Sequence, residues 1–416
     1  MQIAQEHIKM EDYTYDLPQD KIAKFPLEHR DSSKLLCYEN GNIDEQTFPM
    51  ISNWVPAHSL MIKNNTRVIQ ARLLFNKSSG ARIEIFCLEP VFPSDYESNL
   101  SARKKVIWKC LIGNSKKWKS GSLKKEIYID GKSILLEAKK VSSSMSEHNI
   151  EFSWEPANYS FSELLATTGL MPIPPYLTRK AEEGDRKWYQ TIYAQHLGSV
   201  AAPTAGLHFT DTILDSLAKQ KTHLAELTLH VGAGTFTPVK DKKIHNHKMH
   251  AEHVQVSKEL IQSVLNHTEK GITAVGTTTL RSLESMYWLG VLCFENKVNF
   301  SQTIEIDQWL PYQYKSGIQT KTSLRSLLTA MTNAGLNEIS FITRIIIVPG
   351  YAFKIVDQLI TNFHQPNSTL LLLVAAFIGE DWKRVYNFAL NNEFRFLSYG
   401  DSSVLRRRNE PFSQLM

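Results

Sequence analysis

The sequence predicts an α/β fold, a larger α/β domain accompanied by a smaller antiparallel β-barrel or sandwich. Four observations lead there. Residues 60–155 alternate apolar and polar positions in short runs, as in Ala81-Arg-Ile-Glu-Ile-Phe86 and Lys105-Val-Ile-Trp-Lys-Cys-Leu-Ile112. Turn residues at Ser79-Gly80, Gly113-Asn114, Gly121-Ser122 and Asp130-Gly131 break those runs at the spacing of a small all-β unit. From about residue 158 the pattern changes to helices alternating with apolar strands, which argues for a mostly parallel sheet. Finally, 416 residues with 42% hydrophobic and 21% charged content can fill two or three cores and are not disordered.

The elements follow in order. Val91–Ser101 reads as a long loop within the β-rich part. Phe161–Thr168 is a short helix with Ser160 or Ser162 as its cap. Gly169–Tyr176 is extended, because its prolines fix φ and restrict the residues before them. Thr210–Gln220 is an amphipathic helix. Ala225–Val231 and Gly271–Val275 are buried strands on either side of a helix over Ser257–His267. Thr278–Gly290 is a helix, Phe341–Val348 and Gln358–Asn362 are strand-like, and Ser368–Ile378 and Asp381–Asn391 are helical. Tyr287–Ser340 is less patterned and reads as an insertion. Arg406-Arg407-Arg408 reads as a frayed tail.

Composition narrows the function. Cys37, Cys87, Cys110 and Cys293 are far apart with no C-x-x-C pair, which supports neither a disulfide framework nor a thiolate zinc site and fits a cytoplasmic location. The first residues show no basic and apolar leader pattern, so no secretory signal is expected. The longest apolar run, Leu370–Ile378, has nine residues. A membrane helix needs about 20, so no membrane association is expected. The net charge of +5 is mild, but Ser101–Lys132 carries ten Lys or Arg against Glu126 and Asp130. Arg103, Lys104, Lys105, Lys116, Lys117 and Lys119, with Trp108 and Trp118 between them, suit a nucleic-acid backbone. The same run also suits a solvated, lysine-protected sheet edge.

Several stretches are rich in Gly, His and hydroxyl residues. Ala201–Phe209 places His208 beside small residues around Pro203 and Gly206. His230-Val-Gly232-Ala-Gly234-Thr235 follows a strand and could aim backbone N–H groups at an anion or nucleotide, although it lacks the third glycine of a dinucleotide fingerprint. His245–His253 holds four histidines and Glu252 in nine residues, which suits a metal site, proton transfer or a polar loop. Thr361–Thr369 and Gly276–Glu284 each run from a strand into a helix, where ligands of α/β sheets bind. Arg281 there could grip a carboxylate, or pair with Glu284 on a helix surface.

Taken together, these stretches resemble the S-adenosylmethionine:tRNA ribosyltransferase-isomerase family of queuosine biosynthesis. The resemblance runs from Tyr15-Asp-Leu-Pro18 and Pro26-Leu-Glu-His-Arg-Asp31 to Arg395-Phe-Leu-Ser-Tyr-Gly-Asp401. Between them lie Asn65-Thr-Arg-Val-Ile69, Met171–Tyr176, Tyr189-Gln-Thr191, Val200–Phe209, Leu229–Val239, His247-Lys-Met-His250, Gly276-Thr-Thr278 with Arg281, and Thr361-Asn-Phe-His364. Two positions depart from the family pattern: Asn65 stands where Asp is expected, and Gln70 where Pro is usual.

The resemblance implies a larger α/β domain, 1–69 with 156–416, carrying an inserted, smaller antiparallel β-barrel domain over 70–155, with 287–340 a further insertion. It implies transfer and isomerisation of the ribosyl group of S-adenosylmethionine onto 7-aminomethyl-7-deazaguanine at the tRNA wobble position. Epoxyqueuosine-tRNA, adenine and methionine would be the products. S-adenosylmethionine is a co-substrate, no metal or other cofactor is expected, and a monomer is expected. On that chemistry His247, His250 and Glu252 are the first candidates for proton transfer, with His364 and His208 next. His230, Gly232, Gly234, Thr235, Thr277 and Thr278 are candidates for substrate binding. Arg281 is a candidate for the methionine carboxylate, and Asp357 and Asn362 for base edges. The competing readings are a metal hydrolase using His245, His247, His250 and Glu252, and a non-catalytic RNA-binding module on the basic β region.

Overall fold

Alternate residues of the central strands are apolar on both sides. Leu60 and Ile62 enter one core while Met61 enters another, the pattern of strands covered on both faces. The computed structural model describes residues 8–408 except 78, 144–146, 233, 235–238, 240, 315 and 316. At the centre of its main sheet four strands run parallel, in the order His223–His230, Leu60–Asn64, Ile272–Val275 and Gln358–Asn362. Glu252–Ser257, Glu338–Thr343 and Glu305–Ile306 extend one side, and Ser402–Arg406, Lys34–Glu39 and Asn42–Thr47 the other. Among the described residues the sheet has ten strands.

The sheet is therefore parallel at its centre and mixed outside it. His223–His230 returns antiparallel as Glu252–Ser257, and Gln358–Asn362 pairs antiparallel with Ser402–Arg406. This last strand corrects the frayed-tail expectation for Arg406–Arg408. Ser402–Arg406 sits inside the sheet, and Arg407 Nη2 pairs with Asp357 Oδ1 at 3.1 Å.

One helix organises the larger core. Thr277–Phe294 is buried along nearly its whole length and packs on the central strands. Thr320–Asn333 lies over it and buries Leu324, Leu327 and Met331 in the same cluster. The Tyr287–Ser340 segment thus contributes half of a core helix, its covering helix and an edge strand. Its core-facing parts are the end of Thr277–Phe294 and the inner face of Thr320–Asn333, while the chain between them is mostly exposed or half-buried. The second face of the sheet is covered by Asp211–Lys219 and the turn Phe48–Asn53. No helix among the described residues is long and apolar enough to cross a membrane, and the apolar Thr369–Ile378 is a buried core helix.

The second unit is an antiparallel sheet of six strands, in the order Arg72–Asn76, Arg82–Phe92, Lys105–Gly113, His148–Glu155, Lys132–Ser143 and Leu123–Ile129. Its first and last strands approach each other, so the sheet curls into a nearly closed barrel. Trp108, Trp118, Trp154, Phe75 and Phe152 fill its interior. Trp108 Nε1 donates to Asn99 Oδ1 at 2.6 Å and Trp118 Nε1 to the Gly121 carbonyl at 3.0 Å. Both tryptophans therefore belong to the core, and neither is a stacking platform between basic residues. Val91–Ser101, expected as loop, contains the helix Tyr96–Ser101, capped by Asp95. This helix is the barrel's contact with the strand His196–Ser199 of the larger unit.

Candidate active site

The C-terminal ends of the four parallel strands meet at one rim, and the connections leaving three of them, after His230, Val275 and Asn362, line a cleft of about 740 Å³, open solvent at its mouth included. Its walls are Pro203–Ala205, Val231, Gly276–Thr278 and Thr361–Gln365, with Tyr176, Ser368, Leu370, Leu397 and Ser398. This is the usual ligand position in an open α/β sheet. Gly276 makes the turn from strand to helix at φ +95°, a conformation that a side chain would strain.

One hydrogen-bonded chain supports the floor. Thr204 Oγ1 donates to Asn362 Oδ1 at 2.8 Å, which orients the amide so that Asn362 Nδ2 faces His208 Nε2 at 3.2 Å. His208 Nδ1 then donates to Ser33 Oγ at 2.9 Å. His208 lies behind Asn362 and does not line the cleft. Its place is that of a support for Asn362, not the proton-transfer role expected for it. His364 does line the cleft, with Nε2 2.9 Å from Thr361 Oγ1. Burial pushes His208 down to about 4 and His364 down to about 3, so both imidazoles are neutral near pH 7.

A second group of side chains lies further along the rim. His250 Nε2 is 3.3 Å from Glu252 Oε1, and Glu252 Oε2 is 2.7 Å from Arg281 Nη2. Glu252 and Arg281 are essentially inaccessible to solvent, while the His250 side chain is 21% exposed. Burial would push the Glu252 carboxyl up; Arg281 first and His250 second outweigh it and hold it below its ordinary value. The Arg281–Glu252 contact lies off the hydrogen-bond axis. Nε, Nη1 and Nη2 of Arg281 have no hydrogen-bond partner among the described residues. Glu284 is not the partner of Arg281: its carboxylate accepts from the backbone N–H groups of Lys354, Ile355 and Val356 and from Tyr351 Oη. Arg281 is thus engaged with a protein carboxylate and does not line the cleft, which corrects its expected role as the carboxylate grip.

His247 is half-buried beside this group and is lowered by burial and then by His250. Gly234 approaches His250 so closely that a Cβ would come within 2.7 Å of its Cβ and Cγ. Gly232 faces open space, and Thr235 lies outside the described residues. His245 stacks on Trp309 at the surface, apart from the His250–Glu252 pair. Among the described residues no group of three or more His, Cys, Asp or Glu is placed to hold a metal ion. His230 stands at the end of its strand, with Nδ1 3.1 Å from Thr66 Oγ1 and its ring 4.2 Å from that of Tyr96. Burial, then His253, lowers it to about 3. Tyr96 is the barrel's reach into this rim. Sequence reasoning missed it, because a six-residue helix inside a β-rich run leaves little periodic signal.

Asp357 sits at the opposite end of its strand from Asn362. There it accepts from the Ile272 N–H at 3.0 Å and from Arg407. Its role is to close the far edge of the sheet, so the expectation that it reads base edges at this rim is corrected. The six basic candidates of the barrel are all exposed but fall into two groups. Arg103, Lys104 and Lys105 precede the strand Lys105–Gly113, and Lys116, Lys117 and Lys119 follow it. At roughly 3.4 Å per residue the two groups stand about 30 Å apart. Lys77 joins the second group by donating to the Lys117 carbonyl at 3.0 Å, and Asn114 ties in Arg82.

A family profile described as queuosine biosynthesis protein matches residues 10–311 and 317–405. This chain belongs to the queuosine biosynthesis family. It is 35% identical over 404 residues to the S-adenosylmethionine:tRNA ribosyltransferase-isomerase of Halothermothrix orenii, covering 96% of this chain and 100% of that one. It is 35% identical over 405 residues to the enzyme of the same name from Trichlorobacter lovleyi, covering 95% and 99%. The crystal structure of S-adenosylmethionine tRNA ribosyltransferase from Thermotoga maritima is 27% identical, covering 95% of this chain and 99% of that one, with a TM-score of 0.44. The resemblance drawn from the motifs is borne out. In this family member the unusual Asn65 has a local partner: Nδ2 donates to Glu226 Oε2 at 3.0 Å and Oδ1 accepts from Thr228 Oγ1 at 2.8 Å. An aspartate here would set two carboxylates against each other. No feature of the structure explains Gln70.

The three depressed histidines make stability pH-dependent. The unfolded chain takes up their protons below about pH 6.5, while the folded chain resists until about 3 to 4. Their contribution is complete above about pH 6.5 and falls as the pH drops towards 4, by up to about 1.4 kcal/mol per pH unit for each histidine. Denaturant midpoints at pH 7.5, 6 and 5 should fall in that order. His208→Gln should make the decline shallower; an unchanged slope would show that His208 is not buried neutral.

Proposed function

We propose that this chain, an enzyme of the queuosine biosynthesis family, transfers and isomerises the ribosyl group of S-adenosylmethionine onto 7-aminomethyl-7-deazaguanine at the tRNA wobble position. Epoxyqueuosine-tRNA forms, and adenine and methionine leave. The near full-length match to named ribosyltransferase-isomerases carries this reading, and the cleft at the strand ends supports it.

The chemistry asks for particular groups. A sulfonium acidifies the neighbouring C5′ protons, so a base is needed. Adenine leaves well only when its nitrogen is protonated, and the acceptor amine attacks only when neutral. His250 is the proposed proton-transfer residue. Its imidazole is accessible from solvent, and Glu252, held ionised by Arg281, can orient its ring and stabilise its protonated form. Glu252 is then a positioning residue, and His247 can exchange protons with solvent beside it. His364, neutral within the cleft, can offer a hydrogen bond to a heterocycle without placing a second cation near the sulfonium. Asn362, with its amide orientation held by Thr204 and His208, can read a polar edge. The exposed lysines of the barrel would follow the tRNA backbone.

Two measurements test this. Purified protein given S-adenosylmethionine and tRNA bearing the deazaguanine precursor should release adenine in step with tRNA modification, and His250→Ala should lower turnover at least about a hundredfold with little change in tRNA affinity. Absence of adenine release with the unmutated protein would refute the reading. Changing Lys116, Lys117 and Lys119 together to Ala should weaken tRNA binding and flatten its salt dependence by up to about one unit of slope per lysine. An unchanged slope would move the RNA to another face.

A further inference from the structure

We infer that the amino-acid carboxylate of the sulfonium donor is held by two helix N-termini that open into one cleft, with the hydroxyls of Thr277 and Thr278 as additional donors. The inference rests on the proposed identity of the donor, and it fills the place that Arg281 leaves vacant.

The helices Thr277–Phe294 and Thr369–Ile378 start on the same cavity. Gly276, Thr277 and Thr278 line it from one side, Ser368 and Leu370 from another. A helix start collects unpaired N–H groups and partial positive charge, and proteins commonly answer it with an acidic residue in the first turn. Neither helix has one. The longer helix is preceded by Gly276, which has no side chain to cap it, and no side-chain cap bond is made. Ser368 caps the shorter helix through the Leu371 N–H at 3.1 Å, but it brings no charge.

The hydroxyls are the independent observation. Thr277 is 5% and Thr278 is 8% exposed, and both face the cleft. Among the described residues neither hydroxyl has a hydrogen-bond partner, whereas the hydroxyls of Thr204, Thr361 and Ser368 around the same cleft do; the fully buried Thr279 hydroxyl next to them is unpaired as well. Both residues are buried overall, but their hydroxyl oxygens keep access to the cleft and are free to meet a ligand there. Two idle hydroxyls at an uncapped helix start form a socket for an oxyanion. Arg281, one helical turn beyond Thr278, already faces Glu252. The donor's carboxylate is the anion that the proposed reaction brings to this cleft; a tRNA phosphate is the other candidate and is separable by experiment.

The test is an equilibrium-binding cycle without RNA, comparing S-adenosylmethionine with its decarboxylated analogue on the unmutated protein, on Thr277→Val/Thr278→Val and on Thr277→Ser/Thr278→Ser. The unmutated protein should prefer the carboxylated ligand. The valine pair should lose that preference by about tenfold or more while binding the analogue unchanged, and the serine pair should retain it. A preference undiminished in the valine pair, with donor binding intact, would overturn the inference and leave the proposed activity standing. Unchanged donor binding with a raised KM for tRNA would assign the socket to a phosphate and overturn it too. Failure of the unmutated protein to bind S-adenosylmethionine would remove both the inference and the proposed donor. Thermal midpoints of all variants identify a folding defect, and Thr277→Ala/Thr278→Ala, which also removes both hydroxyls, replaces the valine pair if that pair is unfolded: loss of the preference supports the inference and its retention overturns it.

Discussion

The buried contact between Arg281 and Glu252 is the constraint on which the rim depends. Taking both charges out of water costs several kcal/mol per ion, and their mutual attraction has to offset that cost. The pair connects the core helix to the first residue of the strand Glu252–Ser257. Two further polar contacts lie within the next turn: Glu284 receives three backbone N–H groups, and Ser285 Oγ is 2.6 Å from Thr343 Oγ1. An apolar helix buried on most sides could slide or rotate at little cost in hydrophobic contact. The hydrogen bonds of Glu284 and Ser285 fix its rotation and height, and the Arg281–Glu252 ion pair adds attraction at its N-terminal turn, where Glu252 also meets His250.

Neutral histidines are the other feature of the rim. His208 and His364 are buried near Asn362, where a cationic donor is proposed to bind, and desolvation keeps them uncharged. A protonated imidazole there would repel a sulfonium. His250 has a different setting: it is partly exposed and has the Glu252 carboxylate beside it. The same side chain thus meets different surroundings along one rim, in solvent access and in the nearest charge.

Much of this was legible in the sequence. The structure shows Gln358–Asn362, Phe161–Thr168 and Asp381–Asn391 with the limits read from the sequence; the capping box at Ser160 and the amphipathic pattern of Asp381–Asn391 mark the two helices. The barrel was visible because its strands alternate and its turns carry Gly and Asn. Burial hid the rest. The helix Thr277–Phe294 is apolar on most sides, so its second half lacks a polar face and resembled irregular chain. Ser402–Arg406 was obscured by the arginines that follow it. At the site, residue type correctly flagged the His250–Glu252 neighbourhood, which is local in sequence. The Arg281–Glu252 and His208–Ser33 partnerships join residues far apart in the chain, and neither composition nor spacing can supply them. Asp357 and Asn362 are five residues apart, yet a strand carries them to opposite edges of the sheet.

The most direct measurement is a double-mutant cycle at the ion pair, read by denaturant unfolding near pH 7.5. Arg281→Met should destabilise the protein by about 3–5 kcal/mol, because it leaves Glu252 charged and buried. Adding Glu252→Gln should recover most of that loss while turnover stays low, since His250 no longer has its carboxylate. Additive losses, or an Arg281→Met protein as stable as the unmutated one, would show that the rim is held by something other than this pair.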